Sequence, residues 1–188
     1  MSNNATPLKG QRHAASHGAF TLVELLVVLA ILAILMSLVF GAATGALTAA
    51  KKVQAKNDVC MIATAITAFQ AEYGRLPTNT ADVGDVKGAL LESLMGITNS
   101  ANNDNPRQIP FLEVRAATRG KGGTNGNGYV DPWNTNQAYR VSMDTNYDNT
   151  IGVSTSGGLT TNASIRKSVG VWNVTNTASA RCQVRSWD

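Results

Sequence analysis

Gly18-Ala19-Phe20-Thr21-Leu22-Val23-Glu24-Leu25-Leu26-Val27-Val28-Leu29 sets one glutamate inside a run that otherwise reads as a membrane span. Glu24 is the only ionisable side chain between His17 and Lys51, and from Leu25 to Phe40 every residue except Ser37 is apolar. Mostly small residues, Gly41 to Ala50, carry the uncharged zone on to Lys51. At 1.5 Å per residue this stretch is long enough to cross ~30 Å of hydrocarbon as a helix. A carboxylate near hydrocarbon is costly unless it is paired, so Glu24 is a functional-site hypothesis by default.

Working outward, residues 1–19 are polar and carry Lys9, Arg12, His13 and His17 with no acid, the composition of a leader rather than a folded element. On the other side the helical pattern continues past the apolar run. Val59, Ile62, Ile66, Phe69 and Tyr73 recur at spacings of three and four, which places them on one helical face. Gly74 follows as a C′ residue, with Arg75 in the boundary turn and Pro77 beyond it. The expectation is a single helix from about Phe20 to Tyr73, on the order of 80 Å long, apolar all round in its first half and amphipathic in its second.

After Pro77 the pattern changes. Ala89 to Met95 predicts a short helix, and residues 98–128 read as loop, with Arg119–Gly128, "RGKGGTNGNG", its most flexible part. Alternation then predicts strands: Tyr139, Val141 and Met143 on one face, Val169, Val171 and Asn173 on another, Cys182, Val184 and Ser186 on a third, with a short strand at Ile151 and Val153. Three or four antiparallel strands need cover for their apolar face, and the amphipathic half-helix supplies it. The fold class expected is α+β: a long N-terminal helix on a small antiparallel C-terminal sheet. The domain reading is residues 1–19 as leader, 20–50 as transmembrane half, and 51–188 as the globular domain with the amphipathic half of the helix.

At 188 residues the chain suits one domain. Its formal charge is +4, and loss of residues 1–19 would leave 14 basic against 12 acidic side chains. That balance is too weak and scattered for nucleic acid, and no aromatic-interleaved basic stripe is present. Cys60 and Cys182 are far apart and form no metal-ligand pair; a disulfide and two separate thiols both stay open. Both histidines, His13 and His17, lie in the leader, so Ser-His-Asp and Cys-His catalysis are excluded from residues 20–188. The glycines near 120–128 follow no strand-then-helix pattern and read as loop, and no spacing singles out Glu92 with Asp82 or Asp85 as a catalytic pair. The chain does not read as an enzyme.

Phe20-Thr21-Leu22-Val23-Glu24, with a basic polar leader before it and unbroken aliphatics after it, resembles the class III leader of type IV pilins and type II secretion pseudopilins. The resemblance implies a pilin-like fold, removal of the leader by a prepilin peptidase, methylation of the new N-terminal residue, and assembly from the bilayer into a helical filament. It sets Glu24 at the family's glutamate, the fifth mature position if the cut falls between Ala19 and Phe20. The family prefers Gly before the mature Phe, whereas here Ala19 stands there with Gly18 one residue earlier; a small residue fits the same subsite, so the Ala19–Phe20 bond is the expected cut. A freed α-amine on the same or an adjacent subunit would then be the counter-charge for Glu24 and would select subunit register.

Two further islands resemble major pseudopilins. "FQAEYGRLPT", Phe69 to Thr78, is similar to the aromatic-Gly-Arg-x-Pro segment that ends their helix, and "GYVDPWNTNQAYRV", Gly128 to Val141, to their Asp-Pro-Trp-Gly-x-x-Tyr segment, with Asn134 in place of Gly. Asp131-Pro132 favours a turn whose carboxylate accepts backbone N–H bonds, and Trp133 is a large apolar anchor for fastening that turn to the helix. The resemblance implies a single-pass protein of the bacterial inner membrane with its globular domain in the periplasm. Its implied partners are other copies through the N-terminal helices, the prepilin peptidase, the inner-membrane secretion platform and minor pseudopilins. Charge bias does not fix the orientation, since Lys51, Lys52 and Lys56 rival Lys9 and Arg12. The alternatives are a type IV pilin of an extracellular fibre, or a plain exported domain in which Phe20 to Ala43 is a secretory signal or an uncleaved anchor.

Asp144-Thr145-Asn146-Tyr147-Asp148-Asn149 sets oxygen-bearing side chains at alternate positions, as loops that hold Ca²⁺ often do. It is not an EF-hand: Asn149 replaces the sixth-position Gly and Thr155 the twelfth-position Glu. The alternation makes Asp144, Asn146 and Asp148 the candidate ligands for Ca²⁺. Major pseudopilins carry calcium in a loop of the C-terminal sheet, and the resemblance implies that location for such a site but no ligand set, since the family's ligand spacing does not map onto these residues. The other reading is an Asx-rich turn.

Overall fold

The computed structural model describes residues 20–77, 83–97, 104–133, 136–153, 163–174 and 184–187. Its contacts divide into two compact units, Met1–Thr44 and Gly45–Asp188.

Helix α1 runs over Leu22–Tyr73. Its opening residues, as far as Thr44, belong to the first unit, and the apolar side chains there, Leu22 to Phe40, are solvent-exposed; Val27 and Val28, among the most shielded, still show 48% and 46% of their surface. Helix α1 is long and apolar enough to cross a membrane. In the second unit the same helix buries one face: Ala55, Val59, Ile62, Ala65, Ile66 and Phe69 are fully or almost fully enclosed. Burying each of the larger of these side chains contributes about 1.5–3 kcal/mol. Tyr73 is only half-buried; it packs beside Phe69 and Phe111, and its hydroxyl donates to Asn105 Oδ1 at 2.6 Å. Gly74 closes the helix at φ +67°, with its N–H on the Gln70 carbonyl at 2.8 Å.

Strand β1 (Val83–Asp85) precedes helix α2 (Gly88–Met95), which buries Leu90, Leu91 and Leu94. The expected loop over 98–128 is partly a β-hairpin. Strands β2 (Gly123–Asn125) and β3 (Gly128–Val130) pair antiparallel around Gly126-Asn127. Asn125 Oδ1 accepts the Asn127 N–H at 2.8 Å, which holds the turn. Gly128 takes φ +110°, and a Cβ there would sit 2.6 Å from both Lys87 Cβ and the Val86 carbonyl oxygen. Glycine punctuates this tract because the hairpin needs it, not because the chain is loose.

Strands β4 (Arg140–Met143), β5 (Ile151–Val153), β6 (Ala163–Ile165) and β7 (Val169–Trp172) complete the second unit. The main sheet has the order β1-β4-β7, all antiparallel, with Val141 opposite Val171 and Met143 opposite Val169. Tyr139, Val141, Met143, Val169 and Val171 join the apolar face of α1 in one core. The sheet's other face is also covered. Gly170 lies against Ile151 and Trp187, and Trp172 meets Trp187 edge to face at 5.9 Å. Of the expected third strand, the described residues 184–187 carry a bridge from Arg185 to Trp172, with the Ser186 N–H on the Val171 carbonyl at 2.8 Å. Cys182 and the leader, Ala19 included, lie outside the described residues.

Candidate functional site

The first turn of α1 solves the problem of Glu24 locally. Thr21 occupies the N-cap position, and its carbonyl accepts the Leu25 N–H at 3.3 Å, the helix's opening bond. Thr21 Oγ1 accepts the Glu24 N–H at 3.2 Å. In return, Glu24 Oε2 accepts the Thr21 N–H and the Thr21 hydroxyl, both at 2.9 Å. This is a reciprocal capping box, which satisfies helix-terminal donors that hydrocarbon would otherwise leave unpaired. Both donors fall on one carboxylate oxygen. The signal was legible as Thr21-x-x-Glu24 before an apolar run, and sequence reasoning that looked for a charged partner passed over it. Phe20, immediately before the cap, is 76% exposed. Removal of everything before Phe20 would set an ammonium one residue from this cap.

A second carboxylate on α1 was missed altogether. Asp58 is fully buried, on the same face as Ala55 and Ile62. Its Oδ1 accepts the Tyr129 hydroxyl at 2.9 Å and its Oδ2 the Tyr139 hydroxyl at 3.1 Å. Arg115 Nη2 lies 3.3 Å from both oxygens, while Arg115 Nε donates to the Gly122 carbonyl at 2.6 Å. Burial, then the Asp58 charge, pushes both tyrosine hydroxyls well above the usual tyrosine range. The two rings meet edge to face at 5.5 Å. The network ties α1 to β3, to Tyr139 just before β4, and to the strand-like segment before β2. The sequence held a signal: an aspartate at helical spacing among core residues.

The Asp-Pro-Trp segment forms the expected turn. Asp131 is buried, with Oδ1 on the Trp133 N–H at 2.9 Å and Oδ2 on Asn173 Nδ2 at 3.1 Å. Trp133 is half-buried and packs against the core as expected, alongside the fully enclosed Tyr129 and Tyr139.

Asp144, Asn146 and Asp148 meet in one loop. Asp144 takes the Asp148 N–H on Oδ1 at 3.1 Å and the Asn149 N–H on Oδ2 at 2.7 Å. Asn146 Oδ1 faces the Asp148 N–H at 3.3 Å, Asn146 Nδ2 donates to Asp148 Oδ2 at 2.9 Å, and Asp148 Oδ1 accepts the Thr150 N–H at 2.7 Å. These bonds are those of stacked Asx turns, and they hold Tyr147 and Asn149 at φ +59° and +61°. An amide nitrogen aimed at a carboxylate is a poor fit to a cation cage. Among the described residues no three His, Cys, Asp or Glu side chains gather as a metal cluster.

Residues 15–40 match the family defined by the prokaryotic N-terminal methylation motif. This is the class III prepilin leader, and it fits the type IV pilin and pseudopilin families; the α+β layout of a long N-terminal helix and small antiparallel sheets fits them as well. No curated protein and no solved structure matches the chain.

Proposed function

We propose that this chain is a structural subunit of a type II secretion pseudopilus, cut between Ala19 and Phe20, methylated on Phe20 and polymerised through its N-terminal helices. The observation that carries the reading is the methylation motif ending in a helix whose only intramembrane carboxylate is held at its first turn. Before assembly the Thr21 cap keeps Glu24 satisfied within its own chain. When another subunit's freed amine arrives, the carboxylate exchanges a neutral donor for a charged one, and charge-assisted bonds are the stronger kind. An arriving subunit that is out of register offers no amine, and Glu24 stays with Thr21. The "FQAEYGRLPT" and "GYVDPWNTNQAYRV" segments support the pseudopilus over an extracellular pilus.

The test is assembly in a strain lacking the natural gene. Glu24→Ala is expected to insert in the membrane and fail to form filaments, whereas Thr21→Val, which removes only the hydroxyl of the cap, is expected to assemble. Normal filaments from Glu24→Ala would contradict the pairing. Surface fibres with unimpaired secretion would favour the type IV pilin reading.

Ca²⁺ at Asp144, Asn146 and Asp148 is a separate proposal, supported by three oxygen-bearing side chains in one loop; it requires Asn146 to turn its oxygen inward. A melting midpoint raised by Ca²⁺ and lowered by chelator supports it, and identical midpoints contradict it.

A further inference from the structure

Where the apolar run of α1 ends, the second unit brings six of its fourteen cations to one stretch. Lys51 and Lys52 are exposed, four and five residues after the exposed Leu47. Lys56 Nζ donates to the Arg185 carbonyl at 2.7 Å, which draws the chain's last described segment to the same level of the helix. Arg115 reaches Asp58, and the Gln54 side chain lies against Gly122, so close that a Cβ at 122 would stand 2.5 Å from Gln54 Nε2. The tight turn between them, closed by the Thr118–Lys121 bridge, therefore sits beside the helix at residues 54–58 and carries exposed Arg119 and Lys121. Residues 51–58 and 113–122 hold six cations against two acids, Asp58 and Glu113, and Asp58 is enclosed and already paired with Arg115. This excess of four equals the formal charge of the whole chain. Val53, 70% exposed, adds an apolar side chain among the lysines.

We propose that this collar is a docking surface for anionic phospholipid headgroups, which seats the globular unit on the membrane that α1 enters. The inference rests on the reading of the chain as membrane-anchored. The occupant follows from charge and continuity. Lys and Arg stems lie along apolar surface while their heads stay in the polar layer, and basic residues bordering a span are drawn to anionic lipid. On that reading the polar layer of the bilayer borders this part of the helix, since the uncharged residues before Lys51 are the ones that would cross the hydrocarbon.

The experiment uses the membrane-extracted full-length chain in nanodiscs of phosphatidylcholine alone or mixed with phosphatidylglycerol, each doped with a headgroup-labelled paramagnetic lipid. The expected result is several-fold stronger broadening of the Thr118–Gly122 amide signals in the anionic discs. High salt should abolish the difference, because it shortens the range over which exposed charges act. The variant Lys51→Gln/Lys52→Gln/Arg119→Gln/Lys121→Gln should abolish it too. That variant spares Arg115 and Lys56, and unchanged signals from Val141 and Val171 would show that it folds. Equal broadening in both discs, or a variant indistinguishable from the parent, would overturn the collar. Collar signals that instead track protein concentration would point to a protein partner and overturn it as well. Failure to enter either disc would contradict membrane anchoring itself, and the collar with it.

Discussion

Glu24 and Asp58 occupy one helix, and each reaches its partners by a different route. Glu24 bonds within its own turn, to Thr21, so its partners are local and do not depend on the fold of the second unit. Asp58 bonds across the core to Tyr129, Tyr139 and Arg115, partners that exist only once the second unit has folded. Asp58→Ala should therefore cost about 3 kcal/mol, the low end for breaking a buried ion pair because Arg115 reaches water. Tyr139→Phe, which leaves one carboxylate oxygen short of a donor, should cost about 1–2 kcal/mol. Chemical denaturation of the two variants checks the order; equal losses would contradict it. The tyrosines also give a pH dependence. Their folded-state ionisation lies above the ordinary tyrosine value of 10.0, so the stabilisation is complete below that pH. It declines as pH rises past 10.0, where the unfolded chain releases tyrosine protons that the folded chain retains. An alkaline denaturation series should show this decline, and Tyr129→Phe/Tyr139→Phe should blunt it.

Among the elements, what could be read in advance had a period. The buried face of α1 at Val59, Ile62, Ile66 and Phe69 and the strands at Val141 and Val171 repeat at the spacing of their own geometry, and the helix stop at Gly74 showed by residue type alone. The β2–β3 hairpin was missed because glycines at 123, 126 and 128 leave too few side chains for alternation to show. Its signal was positional instead: Gly126-Asn127 as a two-residue turn between Asn125 and Gly128. Asp58 was missed because polarity in an amphipathic helix reads as solvent-facing, although its spacing from Ala55 and Ile62 placed it inside. The hairpin yields a paired test. Gly128→Ala meets Lys87 and Val86 at φ +110° and should cost about 1–3 kcal/mol. Gly126→Ala, with nothing within 4 Å and no positive φ, should lie within about 0.5 kcal/mol of the parent. Similar losses at both positions would contradict the described turn.

For the whole molecule, a single helix serves two environments. As far as Thr44 its apolar side chains are exposed, a surface that water does not tolerate and that a bilayer or neighbouring helices would cover. From Ala55 it is the central element of a folded unit. On the proposed function one chain needs both: the exposed half would serve the membrane and other copies, and removal of residues 1–19 would make the amine proposed as the partner of Glu24. Intact mass and N-terminal sequencing of the chain purified from its own membranes test that claim most directly. The account predicts a chain beginning at Phe20 and carrying one added methyl group on its amine. A chain that still begins at Met1, that starts at Ala19, or that has lost everything through Ala43 would contradict it.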